Sequence, residues 1–398
     1  MGTYSRKTLL AFLITIFFLL MIAYPAAIYR GATNGLSIWW QIIFPSLLPF
    51  FITTELLLAL GVIQFFGALL EPLTQRVFRL PGAAAFAIAV GYTSGYPMGA
   101  AVAARLKSQE LLSASQSARL AAFTNNASPL FILVAVSVGM YQNPALGPFL
   151  AGVHYLSNVL TGITLGLFAR PTFAAVQNPW QRAVNELART RRNDLRNMGQ
   201  LAGESIRHAV NSLFVIAGFI CIFAVVLQLF NEVPILQALL HFVGSVLQRI
   251  GLLPELWPAL GAGFFEVTLG AKTAAAADAP LIEKLLMTQV IFAWSGLSVI
   301  MQALSFLSAA KVPGSIFLLG RFLQALFACA LTYALFPFFA PRLAQTAAAL
   351  PTAAPSFTAI LTGAAVLCIT VNLSLIMLAL LVLTGCKLKF RCRQFFRQ

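Results

Sequence analysis

The chain has 398 residues, of which 60% are hydrophobic and 9% charged, with a formal charge of +15. Soluble domains carry about 25% charged residues, so a soluble globular fold is excluded. Apolar runs of about 20 residues, the length that crosses a bilayer core, recur along the chain, and because they are continuous rather than alternating they exclude a β-barrel.

In chain order, the first run, 9–29, follows Arg6 and Lys7. It is longer than the ~7–15 residues of a signal-peptide core and predicts a retained first helix. Further crossings are predicted at 38–62, 118–141, 146–169, 208–230, 286–310, 313–337 and 357–384. Segments 64–79 and 235–252 read as amphipathic helices at the interface. Two apolar stretches, 82–104 and 256–274, are interrupted by Gly, Pro or polar residues. The expected division is an N-terminal helix (1–35), a first repeat (36–169), a basic loop (170–207), a second repeat (208–337), and a last helix with a basic tail (338–398).

The basic residues gather at the N-terminus, in loop 170–207 and in the tail "KLKFRCRQFFR". That is the pattern of segments kept on the cytoplasmic side, and the tail suits anionic lipid. The charge is therefore assigned to the bilayer rather than to nucleic acid. Arg76 and Arg79 precede 82–104, and Arg105, Lys107 and Arg119 follow it. Both groups stay on one side only if that stretch enters and returns. The same reasoning makes 256–274 a second re-entrant hairpin, opening on the opposite face. "GYTSGYPMGA" from Gly91 then lies opposite "GFFEVTLGAK" from Gly263, and "TNNASP" from Thr124 opposite "WSGLSV" from Trp294. Inverted repeats with broken helices in matching places point to a secondary transporter's binding site.

Irregular backbone at membrane depth survives only inside protein or beside a water-filled cavity. Gly95, Pro97 and Gly99 open the first hairpin. The half-helix N-terminus of each hairpin is expected to face an anion. Candidate solute-binding residues are Thr93, Ser94, Gly95, Tyr96, Asn125, Asn126, Ser128, Ser295 and Ser298, with Tyr92 and Tyr96 available to stack on a flat ring. Gly296 and Gln302 join the weaker mirror of "TNNAS". Close helix packing for the glycines and purely interhelical bonds for the asparagines remain open as alternatives. Glu266, in the second hairpin, and Glu55 are the candidate proton-coupling acids, since intramembrane carboxylates are functional by default; for Glu55, pairing with a cation or holding helices together is the alternative left open. Five cysteines without a CxxC and three scattered histidines support neither a metal site nor a catalytic triad.

"LLPFFITTELL", "GYTSGYPMGA" and "TNNASP" resemble the sporulation integral membrane proteins of the YlbJ (SpoVV) type, over about 38–337. The resemblance implies two Gate, or nucleoside-recognition, domains. It also implies an all-α polytopic membrane fold of about eight transmembrane helices plus two re-entrant hairpins, like the core of concentrative nucleoside transporters. It further implies movement of dipicolinic acid from mother cell to forespore, across the mother-cell-derived outer forespore membrane. Both termini are expected in the cytoplasm. The expected partners are a small organic anion and the lipid bilayer, with a homo-oligomer left open. No cofactor or metal is expected beyond a coupling H+ or Na+. A nucleoside transporter and a non-transporting sporulation component are the alternatives; an enzyme is not expected. The site so drawn contains no Arg clamp for a dianion.

Overall fold

A computed structural model describes residues 3–169, 178–234 and 253–348, with three isolated positions between the last two spans. The expected interfacial helix 235–252 lies almost wholly outside the described residues, and the crossing 357–384 and the basic tail lie wholly outside them. Among the described residues every regular element is helical.

The expected first crossing is instead two helices. α1 (Thr3–Ala23) stops before Tyr24, and Pro25 opens α2 (Pro25–Ile38) at its first turn, with a bend of 101° between them. Proline lacks the N–H that would continue α1 but suits a helix start. A π-helical turn, Trp39–Ile43, leads into α3 (Phe44–Ala59), and α4 (Val62–Val77) follows. The first interrupted stretch becomes α5 (Ala84–Ser94) and α6 (Met98–Ser108), folded back on each other. Gly91 and Gly99, one on each arm, both press against the carbonyl of Thr124. Next come α7 (Ala114–Thr124), a π-helical stretch (Phe131–Met140) and α8 (Leu146–Leu167).

Loop 170–207 contains a helix that its polarity disguised, α9 (Pro179–Asn193), and the start of α10 (Met198–Glu232). α9 lies on α4. Arg182 pairs with Glu71 at 2.8 Å, Arg191 Nε donates to Leu60 O at 3.4 Å, and the Trp180 ring meets Phe65 edge-on. Asn197 and Gln200 exchange side-chain and backbone bonds at the start of α10, which satisfies two of its orphan donors. Ser113 and Gln116 do the same for α7.

The second interrupted stretch is α11 (Trp257–Phe265) and α12 (Val267–Ala276). These also fold back on each other, with Gly263 and Gly270 packed backbone to backbone. α13 (Leu281–Trp294) and α14 (Gly296–Ala309) follow, divided by Ser295 at φ +68°, and α15 (Gly314–Ala348) closes the described chain. Among the described residues, four helical spans are long and apolar enough to cross a membrane: α8, α10, α13 with α14, and α15 to Ala340; the bent α1–α2 pair makes a fifth.

The core interlocks the halves. Ala262, Val267 and Leu269 of the second hairpin are buried in one cluster with Ala127, Ile132 and Leu150 from the first half. The first hairpin's Val90, Ala100 and Ala103 are buried with Ile300, Leu307 and Phe317 from the second. Each hairpin is thus packed partly by the opposite half.

Candidate functional site

A cavity of ≈ 300 Å³ lies where the two hairpin tips and the two helix breaks converge. Ser94 and Tyr96 reach it from the first tip, Glu266 and Thr268 from the second, Ser128 from the break after α7, and Ser298 from α14. Glu55 of α3 and Gln302 of α14 also line it, and Phe51, Phe131, Phe219 and Phe306 supply aromatic wall. Small-molecule sites typically run from about 300 Å³ upward with mostly apolar walls and a few polar groups. This cavity has that character at the lower limit of size.

The tips are shaped by backbone that only glycine adopts readily. Gly95 has φ +76° and its α-carbon faces Ser128, where a Cβ would sit 2.6 Å from the Ser128 amide nitrogen. Gly296 has φ +77° and faces the second tip, where a Cβ would sit 2.9 Å from Glu266 Cα. Each tip therefore rests against the break of the crossing that follows it.

Of the sequence-predicted residues, Ser94, Tyr96, Ser128, Ser298, Glu55 and Glu266 are brought to one cavity. The others are placed elsewhere. Thr93 donates back to Ala89 O at 2.8 Å. Asn125, Asn126 and Ser295 are wholly buried and are not among the cavity's lining residues. Asn126 Nδ2 makes only a 3.5 Å contact to Phe123 O, and both side-chain polar atoms of Asn125 lack a hydrogen-bond partner among the described residues. Tyr92 does not line the cavity; its ring lies tilted against that of Tyr155, centroids 5.5 Å apart. Tyr96 does reach the cavity, with its hydroxyl donated to Phe292 O at 2.6 Å.

The two half-helix N-termini differ. Glu266 is the N-cap of α12, and its Oε2 accepts the Leu269 N–H at 2.8 Å. The positive end of α12 is therefore already occupied by the chain's own carboxylate, contrary to the expectation that it faces a solute anion. α6 has Pro97 at its N-cap and no side-chain cap.

Sequence reasoning missed the residues that stabilise the first break. Unpaired backbone groups are costly at this depth. Ala127 N–H donates to His154 Nε2 at 3.1 Å, and Tyr155 Oη donates to Ala127 O at 2.9 Å. Arg321 of α15, 1% exposed, donates to Asn125 O at 2.7 Å and to Ala122 O. So an arginine does stand at the first break, but it does not line the cavity and is bonded to main chain.

Helical hairpins, crossings broken at the same cavity and several apolar spans define a polytopic integral membrane protein with a central solute-sized chamber. Over 331 residues the chain is 37% identical to the sporulation integral membrane protein YlbJ of Bacillus subtilis (strain 168), covering 79% of this chain and 80% of that protein. The chain belongs to the YlbJ family. Residues 40–143 match the Gate family, described as nucleoside recognition. Solved structures of CNTnw are also similar. An inward-facing, substrate-bound state gives a TM-score of 0.48 at 13% identity, covering 83% of this chain and 87% of that one. A variant in an intermediate state gives 0.48 at 12% identity, covering 85% and 88%.

Proposed function

We propose that this protein is a secondary transporter of a small organic anion, dipicolinic acid moved from mother cell to forespore across the outer forespore membrane. The observation that carries this reading is the convergence of both hairpin tips and both breaks on one ≈ 300 Å³ cavity. Its aromatic walls suit a flat pyridine ring, and the hydroxyls of Ser94, Ser128 and Ser298 suit carboxylate oxygens. The sporulation relative sets the physiological frame.

The charged residues among the cavity's described lining are Glu55 and Glu266. Like charges repel strongly in a dry site, so a dianion enters together with a proton or a metal cation. Glu266 is the coupling residue of this scheme, with Glu55 the next candidate. The same pair of acids favours a second reading, transport of a neutral ring solute such as a nucleoside, which the match to the Gate family also supports.

Uptake of labelled dipicolinate and labelled nucleoside into proteoliposomes, with and without an imposed pH gradient, tests both. Dipicolinate uptake driven by the gradient, and lost as a driven process in Glu266→Gln, supports the first reading. Nucleoside uptake alone supports the second. Uptake of neither solute would return the protein to a structural role in the membrane.

A further inference from the structure

Arg321 is the largest fully buried side chain among the described residues. No carboxylate lies within salt-bridge distance of it among those residues. A buried cation without a counter-charge is costly unless fixed dipoles replace its water. Its partners are the carbonyl ends of two helices. Nη1 donates to Asn125 O at 2.7 Å and approaches Ala293 O at 3.5 Å; Nη2 donates to Ala122 O and approaches Asn158 Oδ1 at 3.4 Å. Ala122 and Asn125 belong to the last turn and C-cap of α7, and Ala293 to the last turn of α13. Both are crossings that break at the cavity. Both therefore turn the negative ends of their dipoles on the guanidinium.

Local packing is shaped for this contact. Gly320 lies directly on Ala122, where a side chain would collide, so α15 comes close enough for the next residue to reach α7. The guanidinium also lies over the Phe317 ring at 5.6 Å. Elsewhere, unwound carbonyls and half-helix C-termini at broken crossings are the groups that coordinate small cations. Here a side chain stands in that position.

We propose that the Arg321 guanidinium is a tethered cation: it occupies the junction where α7 and α13 present their carbonyl ends, binds the two broken crossings together, and takes the place of a free metal cation there. Arg321 is a positioning residue, since it touches main chain rather than the cavity. Any coupling ion must then bind at another place, on the cavity side. The assignment depends only on the junction, not on which solute the cavity takes.

The test is thermal unfolding of the purified full chain in detergent, in sodium, potassium and choline chloride at equal ionic strength. Any difference between the salts in the parent reads a coupling ion on the cavity side and should persist in Arg321→Lys. Arg321→Met should unfold several degrees lower, and millimolar methylguanidinium should restore part of the loss in that variant only. Arg321→Lys, which keeps the charge but not the two-armed donor geometry, should fall between the two. If Arg321→Met does not fold, the drop in unfolding temperature from the parent to Arg321→Lys carries the test. An Arg321→Lys variant as stable as the parent would overturn the proposal, and so would an Arg321→Met variant that methylguanidinium leaves unchanged. Loss of solute uptake alone touches only the transport reading.

Discussion

His154 of α8 and Gln324 of α15 meet in the interior, Nδ1 to Nε2 at 3.3 Å. Their separation, 324 − 154 = 170, is the one that relates Thr124 to Trp294 in the sequence. Contact between matched positions is what a two-fold relation between halves produces. Because Ala127 N–H donates to His154 Nε2, the ring proton sits on Nδ1, facing Gln324. The Gln324 amide rotated by half a turn accepts that proton with Oε1, which otherwise has no partner among the described residues. His154→Leu should therefore leave the Ala127 N–H unpaired at the break, at a cost of about 1–3 kcal/mol. A thermal-unfolding midpoint unchanged from the parent would show that water or another group serves that amide.

The second hairpin offers a test with an internal control. Gly270 lies against the backbone of Gly263, so even a methyl group has no room, whereas Gly261 on the same hairpin has nothing within 4 Å of a built Cβ. Gly270→Ala should destabilise by about 1–3 kcal/mol through overpacking. Gly261→Ala should be neutral or should stabilise by about 0.5–1 kcal/mol through reduced chain entropy. Unfolding midpoints and monodispersity in detergent read both. Equal behaviour of the two variants would mean that the arms are not packed as described.

Membrane sidedness is measurable at exposed positions that flank the hairpins. Arg76 and Gln109 bracket the first, and Glu255 and Asp278 the second; all four are exposed. Single cysteines at Arg76 and Gln109, in a background free of native cysteines, should label from one side. Cysteines at Glu255 and Asp278 should label from the other. One member of a pair labelling from each side would make that stretch a full crossing.

Between α9 and α10, Arg196 holds the Asp194 carboxylate at 2.6 Å. Arg196's side-chain bond, and then its backbone N–H, pull the Asp194 carboxyl from its ordinary 3.8 to about 2. The folded value is depressed, so the pair's contribution is complete above the unfolded value and is lost as pH falls from about 4 through about 2. A carboxyl-carbon NMR titration should place Asp194 near 2, and Arg196→Ala should return it toward 3.8. A parent midpoint near the ordinary value would dissolve the pair.

Much of the fold was legible because its breaks are written in chemistry. Gly95, Pro97 and Gly296 cannot continue an ordinary helix, and Ser94, Ser128, Ser298 and Glu266 stand out in apolar surroundings. Those four reach the cavity. Arg321 was not legible. A single arginine near the start of an apolar run looks like one that snorkels to the interface; only the approach of α7 and α13 makes it central. Asn125 and Asn126 show the converse: they are buried and do not line the cavity. Their polarity is plain, but which way an amide points at a break is set by the tertiary packing around it. α9 was hidden by its charge, although Trp180, Val184 and Leu187 recur at helical spacing behind Pro179.

The seat of α9 on α4 has a mechanical consequence. Through Arg182–Glu71 and Arg191–Leu60, α9 is fastened to the first half. The leash leading to α10 is therefore not the whole polar loop but only Asp194–Asn197, between the end of α9 and the capping box that starts α10. If the halves rock against each other, the rotation at this crossover falls on the φ and ψ of that short stretch, as at a hinge. Spin labels on α4 and α9 would then keep one separation through the cycle, while labels on α9 and α10 would report every stroke.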